Sequence, residues 1–295
     1  MYKRQNKVRE EALAEKLAAY KATLSPQEIK KLVEQTHHLH KYQEEPSADE
    51  DLRKIPMLGR KDMRKEAMPF HNEEMQAGNI PVVMHEIATN GIDYITMMFE
   101  CGDIPQEDIP YLGLLRSVLG YVNTSNYEYA HLANAINIYT GGISSGISVY
   151  PDLQKTGSVC VKYEVRIKVL ENNLKDAMAL VDEILTTSDL EDTKRLGEII
   201  AQVKSRLQVN LSSSGNVVAA MRALSYQSRY AFYQDATLGI AYYKLIQKLD
   251  EQMKTDPEQI VDKLRALVAK VFVQNRLLVL SLIHISEPTR LALIS

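Results

Sequence analysis

The residues able to do chemistry fall in a few small groups, and each group has a plainer use. His71-Asn72-Glu73-Glu74-Met75 has the frame of a zinc-hydrolase helix, in which two His one turn apart hold the metal and a Glu beside one of them activates water. Met stands where the second His is required. A thioether is a poor zinc ligand beside imidazole, and the surrounding segment reads as linker. Neither H-E-x-x-H nor H-x-x-E-H occurs in the chain. His37, His38 and His40 cannot share one helix face, since only His37 and His40 are surface neighbours, so they read as a solvated face. Gly141-Gly142 with Gly146 follows a helical run and precedes a strand-like one. That is the wrong order for holding phosphate at a helix N-terminus, and these glycines suit a helix C-cap and a close strand entry instead. Ser212-Ser213-Ser214-Gly215 has no His-acid pair assignable to it and reads as a helix end and turn. Cys101 and Cys160 lie in apolar, strand-like runs and are expected as free thiols rather than a disulfide or a metal pair. The sequence therefore predicts no catalytic, cofactor-binding or metal-binding residue in this chain.

The elements that would position any site are those of an ordinary globular chain. Its 295 residues allow one large domain or two smaller ones, and 45% hydrophobic with 25% charged residues permits a sizeable core. A formal charge of -3 gives no basic face for a nucleic acid. No run of about 18 apolar residues is present to span a membrane. The expected compartment is the cytoplasm.

Both ends read as foreign. Leu280 to Arg290, LSLIHISEPTR, is identified as the in-frame translation of a transposase-type sequencing adapter, which resumes in Ile294-Ser295 after a variable index. Met1-Tyr2-Lys3-Arg4-Gln5 matches the same element read on the opposite strand. Residues 1–5 and 280–295 are thus expected to be adapter artefacts that contribute nothing to stability. Leaving them out makes the charge somewhat more acidic.

Between these ends, Val8, Leu13, Leu17, Tyr20 and Leu24 recur at helical spacing. Ser25-Pro26-Gln27-Glu28 then forms a capping box that starts a second helix carrying Ile29, Leu32 and Val33. The two read as an antiparallel helical hairpin over 6–45. Residues 46–80 are polar and proline-punctuated, as expected of a linker. Ile80–Ala88 and Ile92–Cys101 are strand-like, and Asn90-Gly91 between them predicts a hairpin. Tyr111–Val122 and Tyr127–Tyr139 read as helices, and Ile143–Tyr150 and Ser158–Leu170 as a second strand pair. Amphipathic helices follow around 174–185 and 196–211, with shorter ones at 215–230 and 237–252. Asp256-Pro257-Glu258-Gln259 predicts another capping box, opening a helix with Ile260, Val261, Leu264, Val268 and Val271 inside. A last strand starts at Asn275 and is expected to be interrupted after Val279. This order predicts an α+β fold with an antiparallel sheet covered by helices on one face, preceded by the helical hairpin.

Several phrases carry more than pattern. PSADEDLRKIPMLGRKD (46–62), TNGIDYITMMF (89–99), NIYTGGIS (137–144), the long helix ending in SSSGN (212–216) and RALSYQS (222–228) resemble, in this order, the third of four domains in insulinase-type zinc metallopeptidases of the presequence-protease branch. Residues 6–45 resemble the helical hinge joining the halves of those enzymes. The resemblance implies a hinge at 6–45, a linker and first strand at 46–91, and at 92–279 a non-catalytic, degenerate copy of the peptidase fold. It implies a chamber-wall segment of a zinc-dependent endopeptidase that degrades unfolded peptides. Zinc and its H-x-x-E-H motif would lie in a catalytic domain absent here, and the partners would be the peptide substrate and the missing catalytic half. The alternative is a non-catalytic structural or interaction subunit related to processing peptidases.

Overall fold

The computed structural model describes residues 2–283, apart from 64, 67–70, 88, 153 and 156. The chain divides into two compact units, Met1–Met68 and Pro69–Ser295.

The first unit is helical: α1 (Tyr2–Thr23), α2 (Pro26–Glu44) and the short α3 (Asp49–Lys54). The joint between α1 and α2 is held by the expected capping box. The Glu28 amide donates to Ser25 Oγ at 3.3 Å, and the Ser25 amide donates back to Glu28 Oε2 at 2.8 Å. The stripe predicted to be shared between the two helices is not buried. Leu13, Leu17, Tyr20, Leu32 and Val33 are exposed, and near the joint only Leu24 and Ile29 are half-covered. A stripe one residue wide offers too little apolar area to hold two isolated helices together.

The second unit holds β1 (Glu73–Ala77), β2 (Ile80–Glu86), β3 (Ile92–Glu100), α4 (Ile109–Val118), α5 (Tyr129–Tyr139), β4 (Gly142–Pro151), β5 (Val159–Leu170), α6 (Leu174–Thr186), α7 (Thr193–Ser213), α8 (Gly215–Leu224), α9 (Arg229–Leu238), α10 (Ile240–Gln252), α11 (Glu258–Val271) and β6 (Leu277–Ile283). The strands form a six-stranded sheet in the order β1-β2-β6-β3-β5-β4. Every pairing is antiparallel except β2 with β6, which is parallel. The α+β architecture expected from the strand and helix order is the observed one.

Three local readings need correction. Asn90 (φ 53°) and Gly91 (φ 77°) do adopt the left-handed turn conformation, yet β2 and β3 do not form a hairpin. β6 lies between them, pairing Val279 with Val82 on one side and with Met97 on the other. Its run of Leu and Val offers apolar side chains to both sheet faces, as a central strand requires. The strand also does not stop at Val279: Leu280 to Ile283 stay paired on the β2 side, and Leu280 to Leu282 on the β3 side. At the start of α11 no side-chain cap forms, because the N-cap is Pro257 rather than Asp256 and proline has no side-chain acceptor; Gln259 Oε1 accepts from Gln252 Nε2 at 3.0 Å.

The register assigns the two faces. Odd-numbered residues of β3, β5 and β6, such as Ile95, Met97, Val165, Ile167 and Val279, are buried in one core with the inner faces of the helices of this unit. Phe272, just past α11, meets Phe99 and Tyr163 edge-on at 5.0 and 5.1 Å between ring centres, a favourable quadrupolar geometry. The helices thus occupy one side of the sheet.

Candidate functional site

The phrases that stand out in the sequence turn out to be joints of the fold. In RALSYQS, Arg222 on α8 donates to the buried carboxylate of Asp235 on α9, Tyr226 lies under its guanidinium at 4.9 Å, and Ser228 accepts from the Ala231 amide to start α9. Gly141 and Gly142 make the close strand entry that was expected, but the C-cap of α5 is Thr140, whose amide donates to the Ile136 carbonyl. The Gly141 amide donates to the Lys168 carbonyl at 2.7 Å, and Gly142 has φ +125°. Ser212 and Ser213 close α7. His37, His38 and His40 are exposed on α2. His71 precedes β1, where Glu74 is exposed while Met75 packs on the core. A strand sends Glu74 and Met75 to opposite faces, so the zinc-like frame has no helical turn to close it.

What remains is the sheet face away from the helices. Its rows run across the strands as Ser148, Lys162, Glu100; then Gly146, Glu164, Met98, Leu278; then Ser144, Arg166, Thr96, Leu280, Val83; then Gly142, Lys168, Tyr94, Leu282, His85. The face is split. Toward β4 and β5 it is charged, and toward β6 and β2 it is apolar, with Met98, Leu278, Leu280, Leu282 and Val83 half-exposed.

The charges answer one another. Lys162 Nζ lies 2.6 Å from Glu100 Oε2. Glu164, fully buried, accepts from Arg166 Nε at 2.9 Å and also from Arg166 Nη2 and the Tyr150 hydroxyl. Burial, and then the bond to Glu164, raise the Tyr150 phenol above its ordinary range. Arg166 Nη2 reaches on to Ser148 Oγ at 3.2 Å. Cys160 points to this face at 3.5 Å from Glu100, and burial followed by that carboxylate's charge raises its thiol pKa, the reverse of what a thiolate nucleophile needs. Ser144 and Ser148 have no base beside them. His85 is four strands away from β4, about 19 Å at ordinary strand spacing. The face can bind or pack, but it holds no nucleophile-base pair.

On the core side, a cleft of about 500 Å³ opens between α6 and the end of α11, lined chiefly by Ile80, Met97, Phe99, Met178, Phe272 and Leu277. It has no catalytic constellation either. Among the described residues no group of three or more His, Cys, Asp or Glu is placed to hold a metal ion. The described residues therefore do not fit a zinc site.

"Protein HypA" of Clostridium perfringens is 32% identical over 274 residues, covering 93% of this chain and 28% of its own length. "Presequence protease 1, chloroplastic/mitochondrial" of Arabidopsis thaliana is 26% identical over 274 residues, 92% of this chain and 25% of that protein. The mitochondrial presequence protease of Xenopus laevis is 27% identical over 254 residues, 85% of this chain and 24% of that protein. The chain thus spans about a quarter of the length of these curated relatives. A conserved protein of Enterococcus faecalis V583 shares the fold, with a TM-score of 0.55 at 14% identity over 76% of this chain and 51% of its own. The family model described as "Peptidase M-16C associated" matches residues 2–249, most of both units, and the chain belongs to that family.

Proposed function

We propose that this chain is a non-catalytic wall of the chamber of a zinc-dependent endopeptidase, with its bare sheet face turned toward unfolded peptide. The observation that carries the reading is the asymmetry of the sheet. One face is packed by the helices of its unit, while the other is left half charged and half apolar without any catalytic pair. Such a face can meet many peptide sequences, because half-exposed leucines and paired charges discriminate weakly. The short span relative to the relatives supports placing zinc, its ligands and the water-activating Glu in the rest of a longer parent, whose catalytic half is the main partner. Cytoplasmic residence and the adapter origin of residues 1–5 and 280–295 belong to the same reading. On that account, adapter codons extend β6 with apolar residues that happen to suit its register.

The test is the coding sequence on either side of this region. An H-x-x-E-H motif upstream in the same frame is expected, and its absence overturns the reading. The purified chain should cleave no peptide and keep no stoichiometric zinc after dialysis. Chelator-sensitive cleavage by the chain alone would also overturn it.

A further inference from the structure

The two edges of the sheet are unequally protected. β1 is short and carries Glu73 and Glu74, the charged, abbreviated edge by which proteins block strand addition. β4 is ten residues long, GISSGISVYP, without a charge and with its only Pro at the last position. Its ladder to β5 uses the even-numbered residues. Asp152 donates to the Ser158 carbonyl at 3.0 Å one step beyond the Pro151–Val159 pair, and bonded pairs alternate. On the other side of β5, Cys101 donates to Val161 at 2.9 Å, which assigns the odd-numbered residues of β5 to β3. The amides and carbonyls of Ile143, Ser145, Ile147 and Val149 therefore point outward. Among the described residues they have no hydrogen bond outside the ladder. Ile143, Ser145 and Ile147 are half-exposed, whereas Val165, Tyr163 and Ile167, their partners on β5, are buried.

We propose that the β4 edge is a docking site for an extended peptide, which adds to the sheet as a seventh strand by main-chain pairing with Ile143, Ser145, Ile147 and Val149. The choice of occupant rests on the chamber-wall reading, and the local chemistry favours it. Main-chain pairing is indifferent to sequence, as a surface for unfolded peptides must be. Beside the edge, the open face presents Ser144, Gly146 and Ser148, and nothing lies within 4 Å of the place where a Gly146 Cβ would be. Large guest side chains have room there. Arg166, whose guanidinium is held by Glu164 and reaches Ser148, borders this space.

The probe is a labelled, unstructured synthetic peptide of about ten residues, matched to the strand length, containing aromatic and Asp residues. On saturation, amide exchange at Ile143, Ser145, Ile147 and Val149 should slow by about tenfold or more, as for newly paired strand amides. Ser145→Pro removes one outward donor while sparing the β5 ladder and should weaken binding by about tenfold with an unchanged circular dichroism spectrum. Should that variant fail to fold, the same peptide N-methylated at alternate residues tests the point from the other side. Loss of its binding supports strand addition, and undiminished binding of both N-methylated registers, displaced by one residue, overturns it. Protection of these amides that rises with protein concentration alone identifies a second copy and overturns the proposal. Peptide binding with protection confined to β3 and β6 overturns the edge site but leaves the chamber-wall reading standing. No binding anywhere sinks both.

Discussion

Arg222 and Asp235 form the tie that joins three helices. Arg222 Nη1 on α8 lies 2.6 Å from Asp235 Oδ2 on α9, and Asp235 Oδ1 accepts from the Ile240 amide at 2.9 Å at the first turn of α10. Asp235 is 1% exposed, so its carboxylate oxygens are met by these partners rather than by water. The chain can pass this closely because residue 239 is Gly; a Cβ there would lie 2.5 Å from Asp235 Oδ1 and 2.9 Å from its Cα.

Asp235→Ala should destabilise the chain by about 3 kcal/mol, because it removes a helix cap and orphans both the Arg222 charge and the Ile240 amide. Asp235→Asn, which keeps an acceptor for α10, should cost less. Urea unfolding of the variants checks the order, and an unchanged midpoint in Asp235→Ala contradicts the tie.

Ending the chain at Val279 should lower stability by about 2 kcal/mol or more. It removes the half-buried Leu280 and Leu282 together with ladder bonds to both β2 and β3. This reverses the expectation from sequence that everything beyond Val279 is inert. Thermal melts of chains ending at 279 and at 283 measure the difference directly.

The two thiols should react at very different rates. Cys101 is completely buried, and burial pushes its thiol up to about 12, while Cys160 is half-exposed on the opposite sheet face. At pH 8, iodoacetamide should modify Cys160 slowly and Cys101 only after denaturant is added. Peptide mass mapping that found Cys101 modified first in the folded chain would contradict this placement.

The pH dependence has a traceable source in Asp103. Two hydrogen bonds from the Arg276 guanidinium, at 2.5 and 2.7 Å, hold its carboxyl below the ordinary aspartate range. A depressed folded-state value stabilises the fold above the unfolded value near 3.9, and that contribution fades as pH falls toward the folded value. Melting temperatures of Asp103→Asn should therefore be lower than wild type at pH 7 and should fall less steeply below about pH 4.

Legibility from sequence followed the range of the interactions. The capping box at Ser25, the inner stripes of α6, α7 and α11, and the pairing of β4 with β5 are local signals, and each was readable. The segment 215–252 holds three helices where the spacing suggested two, because the bend at Gly239 depends on Asp235. Within the stretch read as linker, α3 and β1 carry charged, weakly periodic residues. β1 becomes a strand only because β2 offers it a ladder. The rows of the open face were invisible for the same reason: they depend on β6 lying between two strands that come nearly 200 residues earlier. The buried Glu164 could not be anticipated, since its period marks it as an outward-facing residue.

The place of β6 has a consequence in time. As the polypeptide leaves the ribosome, β2 and β3 emerge together, joined by a turn whose Asn90 and Gly91 already favour a two-strand ribbon. The strand that belongs between them comes only after α11. Until then they are free to zip directly to one another, and that ribbon must open again before the sheet can be completed. Refolding should then contain a slow step governed by this exchange of partners, and replacing Gly91 with a residue that resists the turn should shorten the wait even as it weakens the finished fold.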